Sequence, residues 1–567
     1  MRWVPLHSDP LPADLAEHAE RLEISSDLAA LLFRRGMNTA EAMALFLNPR
    51  LGGLAPPAEW PGLEQAAELT VKALLEGKKL CVWGDYDVDG LTSTALLVDF
   101  FNRHGFACRS HIPHRLNEGY GLNISTLESL AADGIDFLIT VDSGVSDVDA
   151  VTRAKELGML VIVTDHHLPG EVTPPADAMV NPRTAPCPCP ALAGVGVAFF
   201  LAAAVNARLT DLGRSRLDMR EFLDLVALGT LADVVDLNGQ NRILVKNGLL
   251  KIAQGARVGV AALKSACNFV PTAALGAGQV VFTLAPRLNA AGRLGSAKTA
   301  LDLMLTKSRA EAATLADELS RLNAERRAEE DRILIEAMAQ GNAQVQAGAA
   351  GLVLHGEQWH PGIIGIVASR LVDALHRPTV VLSRIGPHLK GSGRSVPGFD
   401  LHAAFTASAD LLLGYGGHRL AAGLSLEPGG LEAFRERFNA LALAGIGGDP
   451  VEPECRIDAE LSLAGATDFT FLKELELLQP FGSGNPEPVF SSPPLLVKSI
   501  QTRTGFCRLD VQEQSGGPVI SAKAWRQAAT MPASIKGSHI RLAYTPRIDR
   551  YNGAAQVELR VKDWKPA

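Results

Sequence analysis

The sequence is poor in cysteine, in aromatic side chains and in long apolar runs. Its seven cysteines are scattered, and the closest pair, Cys187 and Cys189, lacks the second pair that a zinc site would need. The longest uncharged apolar run, residues 191–205, is fifteen residues long, whereas a membrane-spanning helix needs roughly 20. We therefore expect a buried helix there, no membrane association, no secretory signal and reduced thiols in a cytoplasmic protein.

The chain also lacks an excess of basic residues. Its formal net charge of -8 gives no general attraction for nucleic acid, so any such binding must come from a local basic surface. In contrast, apolar residues make up 47% of 567 residues, enough to fill several hydrophobic cores. The length predicts about three or four domains.

Short apolar strands alternate with helical patterns from about residue 79 to residue 236. We expect strands at Leu80–Trp83 and Leu160–Thr164, and a helix at Thr92–His104 ended by Gly105. This alternation predicts a doubly wound α/β core with a parallel sheet. Residues 308–340 contain no glycine or proline and predict one long helix that connects this core to a second, smaller α/β domain.

Acidic side chains follow the first predicted strand at alternate positions. The run GDYDVDG contains Asp85, Asp87 and Asp89. A calcium loop of the EF-hand type is excluded because its twelfth position, which requires a glutamate, is Leu96, and because a strand precedes it.

Further potential metal ligands follow other elements of the predicted sheet, namely Asp142 in VDSG, His166 and His167 in TDHH, and Asp233 in GTLADV. Taken singly, Asp142 or Asp233 is better explained as a helix cap or a turn residue. Together they would meet at the carboxyl edge of the parallel sheet, where ligands bind. Carboxylates packed there need cations, and carboxylate with imidazole suits two Mn²⁺ or Mg²⁺ ions, whose chemistry is hydrolysis at phosphorus.

These motifs, in this order, resemble the DHH phosphoesterase superfamily. The tracts RLNAAGR at 287–293, GSGRS at 391–395 and GGH at 416–418 narrow the resemblance to the RecJ family of single-strand-specific 5′→3′ exonucleases. The resemblance implies that Asp87, Asp89, Asp142, His166 and Asp233 bind the two ions, with Asp142 as the bridge, and that Asp85 and His167 lie beside them.

The RecJ resemblance also implies a cleft that binds single-stranded DNA between the catalytic domain and a DHHA1-type domain. Arg115, Ser392 and Arg394 would hold the 5′ phosphate, and Arg287, Asn289, Arg293 and His418 would line the cleft. The expected domains are a helical region at 1–55, a DHH catalytic domain at 56–307, a connecting helix at 308–341, a DHHA1-type α/β domain at 342–445 and an OB-like nucleic-acid-binding β-barrel at 446–567.

The last part of the chain is basic although the whole chain is acidic. Residues 491–567 contain twelve Lys or Arg against five Asp or Glu, a net charge of +7. Four aromatic residues accompany these charges, namely Trp525, Tyr544, Tyr551 and Trp564. A cationic groove with aromatic platforms is what single-strand-binding barrels use.

Taken together, the sequence predicts a metal-dependent exonuclease that degrades single-stranded DNA to mononucleotides in DNA repair and recombination. A single-strand-binding protein and a helicase are the candidate protein partners, and the chain is expected to act as a monomer. Two alternatives remain open. One is another enzyme of the superfamily, acting on short oligonucleotides or cyclic dinucleotides, and the other is a non-catalytic replication scaffold.

Overall fold

The computed structural model describes residues 1–6, 10–115, 117–525, 531–550 and 555–567. The strands, in chain order, are β1 (Arg2–Pro5), β2 (Leu80–Trp83), β3 (Cys108–His111), β4 (Phe137–Val141), β5 (Leu160–Thr164), β6 (Ala178–Val180), β7 (Leu352–Gly356), β8 (Thr379–Ile385), β9 (His388–Arg394), β10 (Gly414–His418), β11 (Ala421–Leu426), β12 (Glu454–Ile457), β13 (Ala459–Glu460), β14 (Phe490–Ser491), β15 (Leu495–Arg503), β16 (Phe506–Glu513), β17 (Ile520–Trp525), β18 (His539–Asp549) and β19 (Gln556–Pro566).

The helices, in chain order, are α1 (Leu15–Leu22), α2 (Ser26–Arg34), α3 (Ala40–Leu47), α4 (Leu63–Leu75), α5 (Val88–Arg103), α6 (Ile124–Ala132), α7 (Val148–Glu156), α8 (Gly194–Asp211), α9 (Leu223–Ala232), α10 (Gly239–Gln254), α11 (Val258–Ala266), α12 (Ala277–Gln279), α13 (Ala285–Leu294), α14 (Lys298–Leu305), α15 (Arg309–Gln346), α16 (Ile364–Leu375), α17 (Leu401–Thr406), α18 (Leu431–Ile446), α19 (Leu463–Ala466) and α20 (Phe469–Leu477). A π-helical turn, Val280–Leu284, precedes α13.

The first large domain is built on a parallel five-stranded sheet in the order β3-β2-β4-β5-β6. Strands β2 and β4 are buried at every position, as expected for a parallel sheet covered by helices on both faces. The predicted doubly wound core is therefore confirmed. Its hydrophobic core continues through α8 and α9 to α15.

Helix α8 contains most of the long apolar run. By length and composition alone it is the one helix in the described residues that could cross a membrane, but 72% of that segment is buried inside the protein. Its side chains join the core of the catalytic domain together with α5 and α9. The burial matches the expectation of a buried core helix.

Helix α15 connects this domain to the second one and is longer than expected. It has 38 residues and continues past Gly341 to Gln346. At Gly341 an added Cβ would lie 2.9 Å from Leu375 Cδ1, so the glycine serves close packing against α16 and does not end the helix. The second domain contains a mixed sheet in the order β10-β11-β9-β8-β7, in which only β7 and β8 are parallel.

The C-terminal domain is a closed barrel. Strands β15, β16, β17, β19 and β18 follow one another around it, and the pairing of β18 with β19 closes the ring. The first helices of the chain, α1 to α3, share one hydrophobic core with this barrel. Strand β1 also pairs in parallel with β12, so the N-terminal region packs onto the barrel from the far end of the sequence.

Candidate metal centre and DNA-binding cleft

The site lies at the carboxyl ends of three neighbouring strands. Asp85 follows β2, Asp142 follows β4, and His166 and His167 follow β5. Asp87 caps α5, since its Oδ1 accepts hydrogen bonds from the backbone N–H groups of residues 89 and 90 at 2.9 and 3.1 Å. The parallel sheet thus brings together side chains that are distant in the sequence, because each strand ends at the same edge.

Asp142 lies at the centre of this group. Its backbone is in the left-handed region with φ 58°, and its side chain is buried. Its Oδ1 lies 3.1 Å from His166 Nε2 and 3.9 Å from His167 Nδ1. This unusual backbone geometry for a non-glycine residue is typical of functional sites, where the surrounding structure stabilises it.

His166 faces three carboxylates at once. Besides Asp142, its Nε2 lies 3.8 Å from Asp89 Oδ2 and 3.6 Å from Asp233 Oδ2. Asp233 is positioned by the end of α9, where it is the C-cap residue. Asp89 comes from the first turn of α5, and its carboxylate accepts hydrogen bonds from the backbone N–H groups of Gly194 at 2.7 Å and Val195 at 2.9 Å, at the start of α8.

Gly194 is required by the close approach of these carboxylates. An added Cβ at this position would lie 2.9 Å from Asp142 Cβ, from Asp142 Oδ1 and from Asp89 Oδ2. Any larger residue would therefore displace two candidate ligands. The start of α8 also places the positive end of the helix dipole at Asp89, which favours the charged carboxylate.

Three groups of ligand atoms lie close enough to hold metal ions. The atoms of each group are within 4.8 Å of one another, and the groups are Asp85 with Asp87 and Asp142, Asp89 with His166 and Asp233, and Asp142 with His166 and His167. Asp142 belongs to the first and third of these groups, and His166 belongs to the second and third. The arrangement suits two adjacent ions that share the Asp142 carboxylate.

Several of these buried atoms have no hydrogen-bond partner in the described part of the chain, namely Asp85 Oδ1, Asp142 Oδ1, His166 Nδ1 and His166 Nε2. Buried polar atoms are normally satisfied, so this cluster is costly unless a ligand binds it. Oxygen and imidazole nitrogen are the donors that Mn²⁺ accepts, and oxygen is the donor that Mg²⁺ prefers. The residues present therefore fit divalent ions.

The pKa values indicate the same crowding of charge. Burial and the neighbouring Asp87 raise the pKa of Asp89 to about 7, and burial and the neighbouring Asp89 raise the pKa of Asp233 to about 8. For Asp85 and Asp142, burial first and the other carboxylates second raise the pKa well above its usual range. Burial lowers the pKa of His166 to about 3, so its imidazole is neutral and can act as a ligand.

His167 is held in place by Asp165. Its Nδ1 lies 2.8 Å from Asp165 Oδ1 and 3.2 Å from the hydroxyl of Tyr120. Burial opposes its protonation, but the hydrogen bond and charge of Asp165 outweigh burial and raise the pKa of His167 to about 9. Asp165 is itself fixed by three backbone N–H groups, those of residues 145, 166 and 167. Sequence reasoning missed Asp165 and Tyr120 as parts of the site, although Asp165 lies inside the TDHH motif.

The expected phosphate-binding residues come from both large domains, Arg115 and Arg293 from the first and Ser392 and Arg394 from the second. Arg394 donates to Ser392 Oγ at 3.2 Å, and an added Cβ on Gly365 would lie 2.9 Å from that oxygen, so this pair sits beside the start of α16. From the catalytic side, Arg293 donates to the carbonyl of Gly362 at 3.0 Å. Arg115 stacks on the ring of Tyr86 at 4.9 Å.

Arg293 joins these groups into one basic cluster. Burial, followed by the charges of Arg115 and Arg326, lowers the pKa of Arg293 to about 10, and Arg394 adds to the effect. Burial and Arg115 also lower the pKa of Arg394. Guanidinium groups that repel one another at close range form a site for an anion such as a phosphate.

The other cleft residues are placed less uniformly. Arg287 donates to the carbonyl of Thr283 at 2.7 Å and to Ser320 Oγ at 3.1 Å, so its guanidinium contacts its own helix and α15 instead of the arginine cluster. Asn289 is half-buried on the same helix, α13. His418 lies at the exposed end of β10, where partial burial and then the charge of His167 lower its pKa.

The aromatic residues of the barrel need correction. Tyr544 is fully buried and donates to the carbonyl of Leu461 at 2.8 Å, so it belongs to the core. Trp564 is half-buried and packs against the same core, and Tyr551 lies outside the described residues. Trp525 is 46% exposed and packs on Phe506 with ring centroids 4.9 Å apart. Every strand of a barrel has one buried and one exposed face. The sequence pattern alone did not show which of these aromatic side chains lies on which face.

Comparisons with known proteins agree with this architecture. Family models match in three places, the DHH family N-terminal domain at 79–230, the DHHA1 domain at 343–443 and the RecJ OB domain at 457–563. The single-stranded-DNA-specific exonuclease RecJ of Salmonella typhimurium is 36% identical, over 97% of this chain and 98% of its own length. The chain belongs to the RecJ family.

RecJ of Thermus thermophilus is a further relative, 40% identical over 86% of this chain and 69% of its own length. The crystal structure of RecJ from that organism in complex with Mn²⁺ is similar over the whole of this chain and 80% of that one, with a TM-score of 0.85 and 33% identity. The expected fold, a parallel-sheet DHH domain, a DHHA1-type domain and a C-terminal OB-like barrel, is therefore confirmed.

Proposed function

We propose that this chain is a metal-dependent exonuclease that degrades single-stranded DNA from the 5′ end, in DNA repair and recombination. Family membership supports the exonuclease activity and the single-stranded substrate. The observation that carries the mechanism is the pair of ligand groups that share Asp142, next to a buried arginine cluster. Together they support a phosphate-binding site close to a candidate hydrolytic centre.

The roles proposed for the side chains follow from this geometry. Asp87, Asp89, Asp142, His166 and Asp233 would hold two Mn²⁺ or Mg²⁺ ions, with Asp85 beside them. Such ions, when bound, lower the pKa of a coordinated water and neutralise charge on the phosphoryl oxygens. The chain itself fixes the ligands, since the backbone of α8 orients Asp89 and the β5 turn orients both histidines. His167, held by Asp165, would contact the phosphate that is cleaved.

The proposed polarity rests on the arginine cluster. A terminal 5′ phosphate carries more negative charge than an internal phosphodiester, so Arg115, Arg293 and Arg394 with Ser392 would bind it in preference. A fixed end phosphate would then determine which bond reaches the metal centre. His418 and Asn289 would line the cleft near this position.

The remaining assignments are proposals of the same kind. Both ligand groups and the arginine cluster come from one chain, which supports a monomer. The described cysteines are all free, which supports the cytoplasm as the compartment. A helicase would supply unwound strands and a single-strand-binding protein would coat them. We also propose the domain limits 1–55, 56–307, 308–341, 342–445 and 446–567, and each matched family model lies within one of them.

A time course with Mn²⁺ on end-labelled single-stranded DNA tests the function. Wild type should release mononucleotides from the 5′ end, and Asp142→Ala should release none. Rapid turnover of dinucleotides with uncut polymer would instead favour the small-substrate phosphoesterases. No cleavage of either substrate by wild type would favour a scaffold.

A further inference from the structure

The N-terminal region and the barrel form one structural unit. Strand β1 pairs with β12, and Trp3 Nε1 donates to Asp563 near the end of β19 at 2.8 Å. At the two ends of α2, Ser25 N donates to Glu474 of α20 at 2.8 Å, and Arg35 donates to Asp458 at 2.9 Å. Because these contacts span the whole length of the sequence, residues near both ends of the chain must move together.

A buried cation of the catalytic domain is one of the groups that hold this unit. Arg242, on α10, is 1% exposed, and its guanidinium lies 3.7 Å from the centroid of the Phe46 ring. It donates to the carbonyl of Phe46 at 2.8 Å, of Leu477 at 3.3 Å and of Gln479 at 3.1 Å. Phe46 is near the end of α3, and Leu477 is the last residue of α20. Arg242 therefore joins the catalytic domain to both the N-terminal region and the barrel unit.

The electrostatics explain why this contact is strong. Within the described residues no carboxylate pairs with Arg242, so its charge is balanced only by carbonyl groups at two helix C-termini, where cations are favoured. Burial lowers the pKa of Arg242 to about 10, and the side chain remains charged at neutral pH. If the barrel unit moved away, a buried cation would lose several hydrogen bonds at once.

The contacts around Arg242 are also connected to the metal centre through the loop between α9 and α10. Leu237, four residues after Asp233, donates its backbone N–H to the carbonyl of Ser483 at 2.9 Å. The hydroxyl of Ser483 donates to Asp236 at 2.7 Å. The loop from α9 to α10 therefore begins at a candidate metal ligand and ends against the segment that leads into the barrel.

We infer that Arg242 is a positioning residue that fixes the barrel and the N-terminal region relative to the metal centre, so that a DNA strand bound by the barrel enters the cleft in a constant register. The inference rests on the proposed function, because it requires the barrel to bind single-stranded DNA. We call two sets of contacts the barrel joint. The first is made by Arg242 with the N-terminal region and the barrel unit, and the second is made by residues 483–484 with the loop between α9 and α10.

Arg242→Met tests the barrel joint, with Lys264→Met as the matched control. Methionine is also a long, unbranched side chain, but it donates no hydrogen bond. Lys264 is also a fully buried cation, and in the described part of the chain its partners are carbonyl groups, those of Ile252 and Ala273 at 2.8 Å and of Pro271, which all lie inside the catalytic domain. Both variants remove a buried charge, and only one of them removes the joint.

Two quantities are compared between the Arg242→Met and Lys264→Met variants, under conditions in which both have lost the same amount of melting temperature. The first is the ratio of kcat/KM on DNA of about forty nucleotides, which can reach the barrel, to that on about five, which cannot. The second is hydrogen exchange of the amides of residues 476–485. We expect Arg242→Met to lower the ratio about 10-fold or more, since a linked second site is lost, and to speed exchange. Lys264→Met should change neither.

Gly484→Ala provides a second test that keeps the buried charge of Arg242. Gly484 has φ 68° and is exposed, and an added Cβ would lie 2.7 Å from Asn238 Nδ2, so the change opens the joint without removing a charge. It should lower the same ratio.

An unchanged ratio or unchanged exchange in both variants would overturn the inference, as would an equal effect of Lys264→Met. A wild type with no length dependence would instead reject DNA binding by the barrel, and the variants' exchange rates would still report the joint.

Discussion

Asp142 Oδ1 and His166 Nε2 lie 3.1 Å apart, and neither atom has a hydrogen-bond partner in the described residues. Two buried donor atoms this close to each other, both without a hydrogen-bond partner, can bind one divalent ion. The mechanism proposed for this RecJ family member depends on this relationship.

Asp142→Ala should abolish exonuclease activity without unfolding the protein. The side chain belongs to two of the ligand groups, so its loss weakens both metal positions. We expect kcat to fall at least about 10³-fold, since even one transition-state donor contributes about 10²–10³. Single-turnover rates on labelled DNA measure the loss, and circular dichroism checks the fold. Activity within tenfold of wild type would reject the shared ligand.

Gly194→Ala should weaken metal binding although no ligand is changed. The new Cβ would lie 2.9 Å from oxygens of both Asp89 and Asp142 and would displace them. Gly52→Ala is the control, because an added Cβ there meets nothing within 4 Å. Titration with Mn²⁺ should show about 10-fold or greater loss of affinity for the first variant only, in line with changes to groups that orient metal ligands. Equal affinities would contradict the crowding described here.

Metal affinity should increase as the pH rises from about 6 to 9. In the metal-free protein the pKa values of Asp89 and Asp233 are raised to about 7 and about 8, so both must lose protons to bind an ion. A carboxyl with a raised folded-state pKa stabilises the metal-free fold at low pH and loses that contribution as the pH rises through the folded pKa. The melting-temperature difference between Mn²⁺ and EDTA samples should therefore widen with pH. A constant difference would contradict these shifts.

Arg394→Ala should reduce the preference for a 5′-phosphorylated end. Charge-assisted hydrogen bonds contribute about 1.5–3 kcal/mol, so the ratio of kcat/KM between phosphorylated and hydroxyl ends should fall about 10- to 100-fold. Metal affinity should not change, because Arg394 contacts Ser392 on the other side of the cleft. An unaltered end preference would remove Arg394 from the proposed phosphate site.

Three exposed cations of the barrel domain test its contact with DNA. Lys498, Arg503 and Lys536 all lie at its surface. Replacing all three with alanine should reduce the slope of log K against log salt by about 2, at about 0.7 for each phosphate of a single strand. Lys72→Ala on α4 of the catalytic domain is the control and should leave the slope unchanged. An unchanged slope in the triple variant would place the DNA elsewhere.

The strands could be predicted from the sequence because they depend on local pattern. Leu80–Trp83 and Leu160–Thr164 are strands as expected. The helix expected at Thr92 begins instead at Val88, since Asp87 is both a candidate ligand and its N-cap. Strand β6 was missed because three residues carry too little pattern.

Other features depend on contacts between distant residues and could not be predicted. Gly194 is an ordinary glycine in the sequence, and only the approach of Asp89 and Asp142 shows why it is needed. The packing of the N-terminal region on the barrel joins opposite ends of the chain, which no local signal indicates. Arg242 is likewise one arginine among many until its carbonyl partners are seen.

Anomalous diffraction from crystals grown with Mn²⁺ tests the central claim most directly. The account predicts two Mn²⁺ peaks about 3.5–4 Å apart, with the Asp142 carboxylate between them and His166 bound to one ion. A single peak, or ions bound without contact to Asp142, would contradict it.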